Sequence, residues 1–214
     1  MKEISLGPIT SYGLLHDPKH LCFVLSRYKF CAKLLEGREK VLEVGCGDGF
    51  GIPIVAQHVT SVLAVDTDDS LIAGNQRRLV DIPNITFQSL DMRKSPPDDQ
   101  FDGVYLLDVL EHIHPKFERG FMENLCGCLY SDGVCIIGVP NIVADKYRLP
   151  PKDYLTPEEQ NKHINLKTHD KLRSLMEVYF DNVFLFSMND EIVHTGFYPM
   201  AHYLFGVGVG LKNG

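Results

Sequence analysis

Acidic residues stand at the ends of three successive apolar runs in this sequence. Glu43 precedes the glycine-rich stretch Gly45-Cys46-Gly47-Asp48-Gly49, Asp66 ends the run Ser61-Val62-Leu63-Ala64-Val65, and Asp91 follows Leu90 at the end of a run that begins at Ile85. Glycines after an apolar strand let a ligand approach the backbone and permit dihedrals that a Cβ forbids. An acid at the end of the next strand, roughly twenty residues on, is placed to accept hydrogen bonds from ribose hydroxyls. The spacing is G-x-G-x-G, with Phe50 where a dinucleotide-binding loop has its third glycine. Glu43 would also add negative charge beside a pyrophosphate. A cationic, phosphate-free ligand suits this set of residues better.

A second group follows a fourth apolar run. Phe101 to Leu107 leads into Asp108-Val109-Leu110-Glu111-His112, and His163-Ile164-Asn165 comes after a proline-rich segment. Histidine is the usual base near neutral pH, so His112 and His163 are the candidate catalytic residues, with Asn165 as a hydrogen-bonding companion of His163. His169 starts a helical pattern and is expected at the surface or in a cap. Asp108, Glu111, His112 and His163 form an alternative set of oxygen and nitrogen ligands for a divalent ion that would position two acceptor hydroxyls. The favoured reading assigns no metal. Tyr147, Tyr154, Phe197 and Tyr198 offer aromatic surface to a ring-shaped or sugar-like acceptor.

The elements that would position these groups alternate along the chain. Residues 17 to 36 carry a helical pattern with Asp17 as N-cap and Pro18 at the first helical position. Strand-like runs then occupy 40–45, 61–66, 85–91, 101–108 and 133–140, with room between them for crossover helices. Phe117, Phe121, Leu125 and Leu129 repeat every four residues, predicting a helix that stops at Ser131-Asp132-Gly133. Runs at 182–186 and 196–205, joined by the polar turn Asn189-Asp190-Glu191, suggest a hairpin after a helix over 170–179. The expected fold is a doubly wound α/β domain, with a mostly parallel seven-stranded sheet and an antiparallel C-terminal hairpin strand. Its expected parts are a helical lead-in over 1–37, a cofactor core over 38–140, an insertion covering the site over 141–169 with Pro150, Pro151 and Pro157, and a C-terminal helix and strands over 170–214.

The acidic strand ends, the G-x-G-x-G loop and the D-x-x-E-H run together resemble the class I S-adenosylmethionine (SAM) methyltransferase family, over roughly residues 38 to 140. The resemblance implies a Rossmann-like fold and a SAM site made of Glu43, Gly45, Cys46, Gly47, Asp48, Gly49, Asp66, Thr67, Asp68, Leu90, Asp91, Met92, Leu107, Asp108 and Val109. In it Asp66 holds the ribose, Asp91 accepts from the adenine amino group and Met92 flanks the ring. Leu129-Tyr130-Ser131-Asp132-Gly133 stands where the family has a Pro-Gly-Gly turn. The implied activity is methyl transfer to a small molecule, oxygen favoured over nitrogen, with S-adenosyl-L-homocysteine (SAH) as product. The tail is loosely similar to methyltransferases encoded with bacterial surface-polysaccharide genes. A SAM-binding protein without catalysis and a nicotinamide-dependent oxidoreductase are the rival readings.

A formal charge of -7 over 214 residues argues against a partner held by many phosphates, and Arg77-Arg78 reads as a solvated helix face. No apolar run reaches membrane-spanning length, and no secretory leader is visible at Met1. Six cysteines without a C-x-x-C pair suggest neither a zinc ribbon nor a disulfide framework, and Cys126 and Cys128 are expected to pack as small hydrophobes. A cytoplasmic protein is expected, with no nucleic-acid or membrane partner. The apolar run Tyr203-Leu204-Phe205-Gly206-Val207 is a candidate homodimer contact.

Overall fold

The computed structural model describes residues 4–147 and 163–212. The expectations for Pro150, Pro151, Tyr154 and Pro157, and for the side chain of Tyr147, lie outside the described residues. Helices α1 (Pro8–His16) and α2 (Pro18–Leu34) lead into β1 (Lys40–Val44), α3 (Ile52–Ala56), β2 (Ser61–Asp66), α4 (Asp69–Arg78), β3 (Ile85–Ser89) and β4 (Phe101–Leu107). A 3-10 turn (Leu110–His112), α5 (Pro115–Gly127) and β5 (Leu129–Pro140) follow. The chain ends with α6 (His169–Met176), β6 (Phe180–Asn189), β7 (Ile192–His194) and β8 (Tyr203–Leu211).

These strands form one sheet in the order β3-β2-β1-β4-β5-β8-β6-β7. The first five run parallel. β8 enters antiparallel between β5 and β6, and β7 pairs antiparallel with β6 at the edge. The sheet thus has eight strands rather than seven. Asp190, at φ 52, makes the β6–β7 turn at the expected residues, but the strand that follows is short, and the next one begins only at Tyr203.

Both faces of the sheet are covered, which is why the central strands read as continuous apolar runs. Val41, Tyr105, Ile136 and Phe205 pack with α2, α3 and α4 on one face. Leu42, Val104, Ile137 and Leu204 pack with α5 and α6 on the other. Phe121 and Leu125 carry the buried stripe of α5, each contributing about 1.5–3 kcal/mol by leaving water. Cys126 and Cys128 are buried in the same core. The helix ends at Gly127 and not at Ser131, because Leu129 already pairs with Phe101 and draws the chain into the sheet.

Asp17 occupies the N-cap of α2 without a side-chain capping bond, and Pro18 starts the helix. The apolar run from Tyr203 to Val207 is covered within the chain rather than by a partner: β8 lies between β5 and β6, and Met176 fills the space that a Cβ at Gly206 would take.

Candidate cofactor and acceptor site

Strand order reverses between β1 and β4, which opens a crevice beyond their carboxyl ends. The loop after β1 turns through Gly45, Gly47 and Gly49 at φ 75, 52 and 73. A Cβ on Gly45 would lie 2.3 Å from the Val109 side chain, so only glycine lets this loop pass the segment after β4. Asn75, fully buried in α4, donates to the Gly47 carbonyl at 2.8 Å and holds the loop from outside. Arg78 donates to the Asp48 carbonyl at 3.1 Å. Of the expected solvated pair, therefore, Arg77 faces solvent and Arg78 turns inward.

Asp66, at the end of β2, accepts the Gly47 N–H at 2.8 Å and the Asp68 N–H at 3.0 Å. The backbone donor that would cradle a phosphate is thereby given to a carboxylate, and a pyrophosphate there would face that charge. The remaining lone pairs of Asp66 suit ribose hydroxyls. This donor set fits a phosphate-free adenosyl cofactor. Asp68 accepts from the Ser70 and Leu71 N–H groups and is the N-cap of α4, while Thr67 is exposed beside it.

Several side chains expected at the cofactor point elsewhere. Glu43 is 1% exposed, and its two oxygens accept from Tyr28 and Tyr105, each at 2.8 Å. Burial pushes its carboxyl up to about 8 despite those hydrogen bonds, so near neutral pH it is largely protonated beneath the loop. It does not present a carboxylate to the crevice. Asp48 accepts from the Thr10 N–H and hydroxyl and faces α1. The Cys46 side chain is buried in the α2-side core, where desolvation raises its thiol far above the ordinary range.

Met92 is buried in the α5-side core, and its carbonyl accepts from Asn124 at 2.8 Å, so its side chain does not flank a ring in the crevice. The Asp91 carboxylate is held by Arg93 through Nε at 2.8 Å and Nη2 at 2.9 Å. That fork brings its carboxyl down to about 2. Leu90 and Val109 are partly buried against the α5-side core, and Leu107 is buried on the α2 side.

After β4, Asp108 adopts φ 57, a left-handed conformation that Asp tolerates better than most residues. Arg27 of α2 donates to its carboxylate at 2.5 Å. Glu111 is fully buried in the following turn, and its carbonyl accepts the N–H groups of Ile164 and Asn165. This pairing carries His163 to His112, their ring centroids 5.0 Å apart. Ligand atoms of Glu111, His112 and His163 all lie within 4.8 Å of one another. Asp108 is outside this group, and its carboxylate is engaged by Arg27.

Asn165 does not accompany His163. It bonds Glu118 of α5 at 2.5 Å and accepts from buried Lys167 at 2.8 Å, and Lys167 also pairs with Glu118. This network clamps the segment that delivers His163. Thr168, not His169, caps α6, and His169 stacks on Tyr198 at 4.3 Å. Phe197 is exposed. Sequence reasoning missed Thr10, Arg27, Tyr28, Asn75, Tyr105, Glu118, Lys167 and Tyr203. Their partners are distant in sequence, and none falls in a recognisable motif.

Fold and crevice define a SAM-dependent methyltransferase domain. A family model described as a methyltransferase domain matches residues 16–179, and the chain belongs to that family. It is 29% identical over 102 residues to a probable S-adenosylmethionine-dependent methyltransferase of Mycobacterium tuberculosis, covering 47% of this chain and 35% of that protein. It is also 35% identical over 102 residues to a ubiquinone biosynthesis O-methyltransferase of Coxiella burnetii, covering 46% of this chain and 42% of that one. Both matches span less than half the relatives' own lengths. The methyltransferase domain of a bacterial CtHen1 protein has the same fold, with a TM-score of 0.70 over 87% of this chain and 98% of that one at 15% identity. No helix among the described residues is long and apolar enough to cross a membrane.

Proposed function

We propose that this chain transfers a methyl group from SAM to a hydroxyl oxygen of a small-molecule acceptor. One observation carries the proposal: the glycine loop and Asp66 lie at the β1/β4 crevice, and the His112–His163 pair stands just beyond β4. Bound SAM supplies a methyl group already activated on a sulfonium, so the protein's main contribution is alignment, worth about 7–11 kcal/mol in favourable cases. A hydroxyl acceptor also loses a proton during attack. An imidazole of His112 or His163 takes it as the new carbon–oxygen bond forms and the carbon–sulfur bond breaks, leaving SAH.

The acceptor is read as sugar-like or polysaccharide-related, on the similarity of the tail. Incubation with methyl-labelled SAM and fractionated host extract, followed by identification of the labelled compound, tests the proposal. Label on an oxygen supports it. Label on nitrogen moves the acceptor class, and tight SAM binding without any turnover favours a non-catalytic partner subunit.

A second reading has its own observation. The grouping of one carboxylate and two imidazoles at Glu111, His112 and His163 has the composition of a divalent-ion site with positions left for acceptor oxygens. Activity that disappears on exhaustive chelation and returns with added zinc, manganese or magnesium supports this reading. Activity indifferent to chelation removes it and leaves the histidines as bases.

A further inference from the structure

Single apolar side chains scattered over a protein surface are ordinary, whereas a gathered set facing solvent marks a contact. Two such sets stand at the edge of the sheet where the crevice beyond β1 and β4 opens. Just before and within α1, Ile4, Ile9, Leu14 and Leu15 are exposed, Leu15 to 79%. This helix lies on the glycine loop: Thr10 bonds Asp48, and the Ile9 side chain comes within 3.6 Å of the place a Cβ on Gly47 would take. In the segment before β8, Phe197 and Met200 are exposed at 69% and 66%. Pro140, at the carboxyl end of β5, pairs with Tyr203 at the start of β8, so this second segment leaves from the same edge of the sheet.

Charge separates these two segments from the rest of the molecule. The chain has 28 acids against 21 lysines and arginines, yet residues 4–35 hold a single acid, Asp17, beside Lys19, Arg27, Lys29 and Lys33, and residues 192–211 hold none. Acids close to the crevice are engaged: Asp66 by the Gly47 N–H, Asp68 by the first turn of α4 and Asp108 by Arg27. Asp190 and Glu191 stand at the β6–β7 turn, on the outer edge of the sheet. A protein of net charge -7 is repelled as a whole by an anionic surface, and a face without acids is the one that can approach it. Protruding apolar side chains beside a lysine suit the boundary between lipid headgroups and acyl chains, where the apolar groups leave water and the lysine is drawn to anionic lipid. A protein interface would carry a polar rim with hydrogen-bond partners, whereas the run from Ile4 to Leu15 holds no charged residue.

We propose that this edge docks on an anionic lipid bilayer, inserting Leu14 and Leu15 of α1 and Phe197 and Met200 of the segment before β8. Contact of this kind requires no membrane-spanning helix, and none is present among the described residues. It revises the expectation, drawn from composition, that the chain has no membrane partner. Docking does not depend on which acceptor is methylated, and it holds the crevice at the bilayer surface.

Co-sedimentation of the full chain with vesicles of mixed phosphatidylcholine and phosphatidylglycerol tests it. The unaltered protein is expected to bind, and less well to vesicles of phosphatidylcholine alone. Leu14→Glu with Leu15→Glu, and Phe197→Glu with Met200→Glu, should each weaken binding about tenfold or more, since each pair withdraws two inserted apolar side chains. Val80 is also 69% exposed, but it lies between α4 and β3 at the opposite edge of the sheet. Val80→Glu should therefore leave binding within about twofold. Melting temperatures check that every variant is folded. No binding by the unaltered protein overturns the proposal, as does binding retained in either double variant, an equal loss in Val80→Glu, or equal affinity for phosphatidylcholine alone. Self-association of the unaltered protein without lipid, abolished by the same double variants, also overturns it and assigns the face to a second copy of the chain.

Discussion

The carboxylate of Asp48 accepts the backbone N–H of Thr10 at 2.7 Å and the Thr10 hydroxyl at 2.9 Å. The glycine loop thereby caps the first turn of α1 from another part of the chain, where the helix's own N-cap, Gly7, supplies no side chain. An anion at a helix N-terminus is favoured by the orphan N–H groups and the helix dipole. Asp48→Ala should lower the unfolding free energy by about 0.5–2 kcal/mol, as for other lost caps, and should speed SAH dissociation by loosening α1 from the loop. Thr10→Val should show the same direction to a smaller extent. Thermal melts and stopped-flow displacement check both effects.

Glu43 should give the protein a distinctive dependence on pH. Its carboxyl is raised from an ordinary 4.5 to about 8 by burial, so the folded state binds this proton more tightly than the unfolded state. A raised folded pKa contributes stability that is complete below the unfolded value and is lost as pH rises through the folded value. Between about pH 4.5 and 8 this group should therefore lower stability steadily, with each pH unit worth up to about 1.4 kcal/mol. Glu43→Gln, which keeps the shape and cannot ionise, should remove that slope and be more stable than the parent at pH 8. Urea unfolding across the window reads it, and identical pH profiles for the two proteins would contradict the buried-acid account.

Asp66 ties the loop through Gly47, and the proposed cofactor site gives its remaining lone pairs to a ribose. Asp66→Ala should weaken SAH binding by about 1.5–3 kcal/mol, the usual worth of a charged hydrogen-bond partner, with the far-UV spectrum unchanged. Calorimetry with SAH is the measurement, and unaltered affinity would remove the ribose role.

Lys167 and Glu118 form an ion pair with side-chain exposures of 8% and 19%. Lys167→Met leaves Glu118 without its cation and should cost on the order of 3 kcal/mol. Because the pair clamps the segment carrying His163, turnover should fall further than SAH affinity. The double variant Lys167→Met with Glu118→Leu should recover part of the stability but not the turnover. Melting temperatures and steady-state rates separate the two effects.

Alternation of apolar runs with helical patterns specified the parallel α/β core, because a strand buried on both faces must be apolar throughout and a crossover helix must show its own period. The glycine spacing specified the tight turn after β1, because a loop that must pass Val109 closely admits no Cβ at Gly45. Local chemistry of this kind is written in consecutive residues. The tertiary structure decided which way each acid faces. Glu43, Asp48, Asp66 and Asp108 look alike as acids beside apolar runs. Their neighbours are Tyr28 and Tyr105 for the first, Thr10 for the second, the Gly47 backbone for the third and Arg27 for the fourth. These partners lie from 15 to 81 residues away. A carboxylate's protonation and role depend on what surrounds it in space. The apolar run at Tyr203 likewise fitted either a surface contact or an inner strand, and only the pairing of β8 with β5 and β6 put it inside the sheet.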